Sequence, residues 1–164
     1  MPKPRRLLVV TALALSSILL IVQPASATPP SFDTFHAEEE FLFADCGAFQ
    51  LTETFTVDVR ITTFFNEQGD AITATMHITL VGVITNSASG NTYPVRTHAT
   101  RIIDLATGET TAVGLVTLTT VPGLGPVQQS TGKIVFDANG DPTFVGGPHG
   151  AFFGTDPDPC TVLL

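Results

Sequence analysis

His36, His77, His98 and His149 are the four imidazoles of this 164-residue chain, and two of them fall at a spacing that chemistry could use. Asn86-Ser87-Ala88-Ser89-Gly90-Asn91 is dense in turn formers and separates two alternating stretches. A hairpin symmetric about that turn sets His98 opposite Thr79 and diagonal to His77, on the polar face of both strands. Diagonal neighbours lie about 7–8 Å apart, within reach of long side chains. Asp58 and Arg60 share the polar face of the adjoining strand, so a two-histidine metal or acid–base site can be assembled there. The rest of that face is mostly threonine, which is the composition of a plain solvated sheet surface.

A second group stands on the apolar parity of the strands. The same register puts Arg101 in one row with Tyr93, Val95, Ala99 and Ile103, opposite Met76, and Glu53 falls among the apolar residues of the first alternating strand. A charge facing a core must be paired, solvated or used on a ligand. Inside a barrel, Arg101 with Glu53 and Tyr93 would anchor a carboxylate-bearing apolar molecule; at a strand end, Arg101 would reach water along its own stem. Asp137-x-Asn139-x-Asp141 begins like a calcium loop, but Pro142 replaces the required glycine and Pro148 the bidentate glutamate, so a hairpin turn accounts for it. There is no G-x-S-x-G elbow, P-loop, dinucleotide fingerprint or H-E-x-x-H. No cofactor or metal is expected.

The elements that must position these residues are strands. Phe49, Leu51, Phe55, Val57, Val59, Ile61 and Phe65 share one parity while Thr52, Thr54, Thr56, Asp58 and Arg60 share the other. Period-two alternation of this kind puts one face on a core and one on water. Asn66 to Asp70 is a turn, and Ile72, Ala74, Met76, Ile78, Leu80 and Ile84 continue the pattern beyond it. Thr110 to Val121 is apolar on both parities and reads as a central strand covered on both sides. Asp137-Ala138-Asn139-Gly140 turns a last hairpin. Short turns make successive strands antiparallel neighbours. The expected fold is all-β, an antiparallel meander of six to eight strands, with the strand lengths favouring a closed barrel over a two-sheet sandwich.

The N-terminal residues set the compartment. Lys3, Arg5 and Arg6 precede an apolar run from Leu7 to Val22, and Ala25-Ser26-Ala27 supplies small residues for cleavage after Ala27. The run is shorter than the roughly 20 residues of a membrane-spanning helix. Residues 1–27 are therefore expected to be a secretory signal, 28–45 an N-terminal arm that is either a helical turn or extended, and 46–164 a single β domain. Without the signal, Arg60, Arg96, Arg101 and Lys133 stand against 15 acidic residues, a net charge of −11. Nucleic acid is excluded as a partner on that balance, an anionic membrane surface is disfavoured, and cationic partners fit better. Cys46 and Cys160, an even count in an oxidising compartment, are expected to form a disulfide joining the two ends of the domain.

The Cys46-Gly47 step into a Thr/Val strand, the Asn86–Gly90 turn and the Gly132-Lys133-Ile134-Val135-Phe136-Asp137 segment with Gly140 carry a likeness. Over residues 46–147 the chain resembles small exported proteins of high-GC Gram-positive bacteria. That group has no assigned activity, so the resemblance implies a compartment and an all-β fold and transfers no site residues. By strand count and length the chain is also similar to small eight-stranded barrels of the lipocalin or allene-oxide-cyclase kind. The functional expectation is a secreted binding domain for a small apolar ligand or a surface partner. The alternatives are a small-barrel enzyme and a structural exoprotein without ligand.

Overall fold

Alternation and turn chemistry are realised in one seven-stranded antiparallel meander. The computed structural model describes residues 28–164; the export signal expected over residues 1–27 lies outside them. The strands are β1 (Ser31–Asp45), β2 (Gln50–Phe65), β3 (Ala71–Asn86), β4 (Thr92–Asp104), β5 (Thr110–Val121), β6 (Gly125–Phe136) and β7 (Pro142–Gly146), paired in sequence order. Two short helices follow, α1 (Gly150–Phe153) and α2 (Pro159–Val162). No helix among the described residues is long and apolar enough to cross a membrane.

The sheet does not close, which corrects the barrel expectation. Closure needs β1 to pair with the last strand, but β7 has only 5 residues against 15 in β1. Beyond β7 the chain turns at Gly147-Pro148 and binds the side of β6 instead, with the Thr131 N–H donating to the Pro148 carbonyl at 2.7 Å and a single bridge joining Ser130 to His149. Strand length argued for strong coiling; it is silent on whether the two edges meet. Residues 31–45 are a full edge strand, paired with β2 from Ser31↔Thr63 to Asp45↔Gln50, with a bulge between Leu42 and Ala44.

In place of closure, the chain covers one end of the inner face with its own last residues. Leu51, Ile84, Tyr93, Val95, Val121 and Leu163 form the buried cluster, with Phe43, Cys46, Phe49, Leu80 and Val162 packed around it. Leu163 and Leu51 are fully buried. Burying an aliphatic side chain of this size stabilises by about 1.5–3 kcal/mol. Cys46 and Cys160 stand in disulfide geometry beside this cluster, Cα atoms 5.5 Å apart across a sequence separation of 114. Asn86 joins the β3–β4 turn to the same region. Its Oδ1 accepts from the Ala88 and Ser89 N–H groups, and its Nδ2 donates to the Leu163 carbonyl at 2.9 Å.

The two-sided apolar reading of Thr110–Val121 is corrected by register. Pairing with β6 slips between Leu115 and Thr117, so Val116 is an extra residue and the inward parity changes there. The Thr97 hydroxyl donates to the Val116 carbonyl at 2.8 Å, satisfying the acceptor that the bulge displaces. One parity is thus inward before the bulge and the other after it. Near this point Gly114 and Gly132 pair directly, at φ +105° and +123°. A Cβ at Gly132 would lie 2.1 Å from the Gly146 carbonyl oxygen, so only glycine allows this approach of β7 and the chain beyond it.

Candidate functional site

Polar side chains with chemical potential collect on the outer face of the sheet. Register builds two neighbouring rows that run across the strands. The first holds Thr34, Arg60, His77, Thr100, Val113 and Lys133, each opposite the next. The second holds His36, Asp58, Thr79, His98, Leu115 and Thr131. A groove of about 560 Å³ lies over their β1–β3 end, lined by Thr34, His36, Asp58, Arg60, His77 and Thr79 among others.

Hydrogen bonds fix the imidazoles. His36 Nδ1 lies 2.7 Å from Asp58 Oδ1, the only ion pair among the described residues. The bond to the Asp58 carboxylate, then its charge and that of Glu38, raise the His36 pKa above the ordinary histidine value, while desolvation opposes them. The pair is exposed, so its contribution to stability is small. Its sign is nonetheless fixed: the extra stability is present at low pH and is lost as pH rises through the raised value. His77 Nδ1 is 3.0 Å from Thr100 Oγ1, and His98 Nδ1 is 3.4 Å from Thr79 Oγ1. His77 and His98 are therefore each paired with a threonine, and the structure brings them onto one face together with Asp58 and Arg60. No group of three or more His, Cys, Asp or Glu among the described residues is placed to hold a metal. The sequence reading omitted His36 from this group because the conformation of residues 31–45 was undecided. The signal is weak there: His36 shares the parity of Thr34, but Phe32 and Asp33 break the alternation of the segment.

Arg101, Glu53 and Tyr93 do not come together. Arg101 stands opposite Met76 and Ala112 and is exposed. It lies eight residues from Tyr93 along β4, about 26 Å at the rise of an extended strand. Tyr93 is buried and its hydroxyl donates to the Leu164 carbonyl, so the residue fastens the last residues of the chain rather than facing a cavity. Glu53 shares a row with Ile84 and Tyr93 and is 6% exposed. Burial among these groups raises its pKa above the ordinary glutamate range.

This raised value has a definite consequence for stability. The folded state binds a proton at Glu53 more tightly than the unfolded chain, so stability falls as pH rises from the unfolded pKa through the folded one, and is level above it. Glu53→Gln removes the charge that burial penalises. The variant is expected to melt at a higher temperature than the parent at neutral pH, and the advantage should vanish well below the unfolded pKa. Melting curves across the acidic range check this; a variant less stable than the parent at neutral pH would show that the ionised carboxylate is needed.

A serine–histidine pair also exists, and sequence reading missed it. Ser130 Oγ is 2.8 Å from His149 Nδ1, while His149 Nε2 is 3.2 Å from the Gly146 carbonyl oxygen. The carbonyl can only accept, so Nε2 carries the proton and Nδ1 accepts from the serine hydroxyl. Both residues are more than 95% buried, which keeps a substrate from the hydroxyl. The pair ties the chain after β7 to β6. At the β6–β7 turn the Asp137 carboxylate accepts from the Asn139 and Asp141 N–H groups at 2.9 and 3.0 Å, and those bonds, led by the one from Asp141, lower its pKa. Its oxygens are thus used inside the turn.

No protein family, no curated protein and no solved structure was found to match this chain.

Proposed function

We propose that this chain is a secreted, non-enzymatic binding domain that holds its partner on the outer face of the sheet. One observation carries the reading: His36, Asp58, Arg60, His77 and His98 converge on a single exposed face and line or border one groove. The inner face at the Glu53 end is filled by Leu163, and the Ser130–His149 pair is buried, so neither offers a substrate an entry. A side-chain array that is solvated and preformed is what recognition of a polar partner requires. The expected signal over residues 1–27 supports the compartment.

A small apolar ligand on the inner face is the second reading, favoured by Phe35. This side chain sits opposite Val59, is 55% exposed, and belongs to a stretch of the inner face away from the buried cluster. One pair of measurements separates the two. Protein purified from culture medium is examined by native mass spectrometry, and then applied to glycan and peptide arrays beside the Arg60→Gln/His77→Ala/His98→Ala variant. The outer-face reading expects array signals that the variant loses. A retained apolar ligand, together with array signals unchanged in the variant, would overturn it in favour of the inner face.

A further inference from the structure

The basic residues of this chain are concentrated on one face of its sheet. Of the four cationic residues in 28–164, Arg60, Arg96 and Lys133 project from the outer face, and His77 and His98 stand among them. Of 15 acidic residues, only Asp58 and Asp104 lie on that face within β2 to β6. Asp58 is engaged by His36, and Asp104 is the last residue of β4, its carboxylate accepting from the Ala106 and Thr107 N–H groups of the next turn. Glu38, Glu40 and Asp45 continue the outer face of β1 to one side of the rows. A domain of net charge −11 therefore carries a cationic band across its outer face.

The band has a direction. Arg60, His77, Thr100 and Lys133 lie in one cross-strand row, so Arg60 and Lys133 are four strand spacings apart, about 19 Å. Arg60 has no carboxylate within ion-pair distance, and the Lys133 ammonium sits over the Phe144 ring at 5.6 Å from its centroid. Between them in the row stand the His77 imidazole, the Thr100 hydroxyl and the Val113 side chain, and no further cation. We propose that this band binds an extended acidic polysaccharide, a uronate-bearing chain laid across the strands, with Arg60 and Lys133 on separate carboxylates and the threonine and histidine side chains on sugar hydroxyls. The inference rests on the outer-face reading above.

The spacing and chemistry favour this occupant over other polyanions. A nucleic-acid strand without sequence preference is held largely by stacking on large aromatic platforms, and the two rows carry no Phe, Tyr or Trp. An anionic bilayer would meet the acidic remainder of the domain. A uronate polymer sets free ring hydroxyls beside each carboxylate, and such hydroxyls are partners that threonine and imidazole side chains can bond. Protonation of His36 adds positive charge to the band, with Asp58, Glu38 and Glu40 the acidic groups beside it, so binding should tighten as pH falls through its raised pKa.

Affinity electrophoresis in gels containing polygalacturonate tests the proposal. Retardation is expected near pH 5.5 and should weaken toward about pH 7.5 and in added salt. Arg60→Gln and Lys133→Gln should each weaken apparent affinity by roughly tenfold, as for loss of one charge-assisted contact, while Arg101→Gln on the inner face should change nothing. All three positions are exposed, and a melting curve for each variant confirms an intact fold. Absence of retardation at the lower pH, or retardation unaffected by Arg60→Gln, overturns the proposal. If oligothymidylate or anionic vesicles bind in an Arg60-dependent way and polygalacturonate does not, the polysaccharide assignment falls while the outer-face reading stands.

Discussion

Replacing Cys46 by serine is expected to remove about 4–5 kcal/mol of stability, the largest loss from any single side chain in this fold. The magnitude comes from the unfolded chain: a bond across a sequence separation of 114 closes a long loop, and the entropy it removes grows with loop length. The folded state loses something as well, because Cys160 lies in α2, next to the residues that cover the inner face. Domains of this size are stable by about 5–15 kcal/mol, so the variant should be marginal at ambient temperature. Denaturant titrations of parent and variant measure the difference, and reductant should bring the parent to the variant's midpoint. The intact mass of the parent should rise by two hydrogens on reduction. A parent whose mass and midpoint ignore reductant would show that the two thiols are not bonded.

The hairpins were legible in the sequence because their turns announce themselves chemically and the strands β2 and β3 alternate. The Asn86–Asn91 turn sets the whole β3–β4 register, which is why Thr79↔His98 and Met76↔Arg101 follow from counting. Closure was not legible. It depends on whether the first and last strands meet, and nothing local in β1 or β7 encodes that. The bulge at Val116 was misread for a related reason: a single extra residue swaps the inward parity, and a stretch that is apolar first on one parity and then on the other looks apolar on both. The cationic band was concealed by net charge. A balance of −11 speaks for the whole surface, whereas Arg60, Arg96 and Lys133 are on one face only once register is known. The sequence-level preference for cationic partners averaged over two faces that differ.

Leu163→Ala is expected to cost about 2–5 kcal/mol, the usual range for emptying a fully buried leucine site. Leu163 has no exposed surface and packs in the cluster of Leu51, Ile84, Tyr93, Val95 and Val121. Its carbonyl bond from Asn86 is a main-chain contact that alanine keeps, so the loss reports packing alone. The neighbouring Leu164 is 62% exposed, and Leu164→Ala should stay within about 0.5 kcal/mol of the parent. Equal effects at the two positions would mean that the last residues do not dock as described. The cost should also depend on the disulfide. With Cys46 and Cys160 bonded, residue 163 is tethered three positions from the crosslink and cannot leave the inner face without straining it. In the Cys46→Ser background the segment is held by its own contacts, and a shortened side chain lets it detach before the sheet unfolds. Leu163→Ala should then cost less than in the parent, so the two substitutions fall short of additivity in a double-mutant cycle. Full additivity would show that Leu163 stays docked to the same extent with or without the bond. In that case the disulfide acts on the unfolded chain only, and the inner face is covered by packing that needs no covalent help.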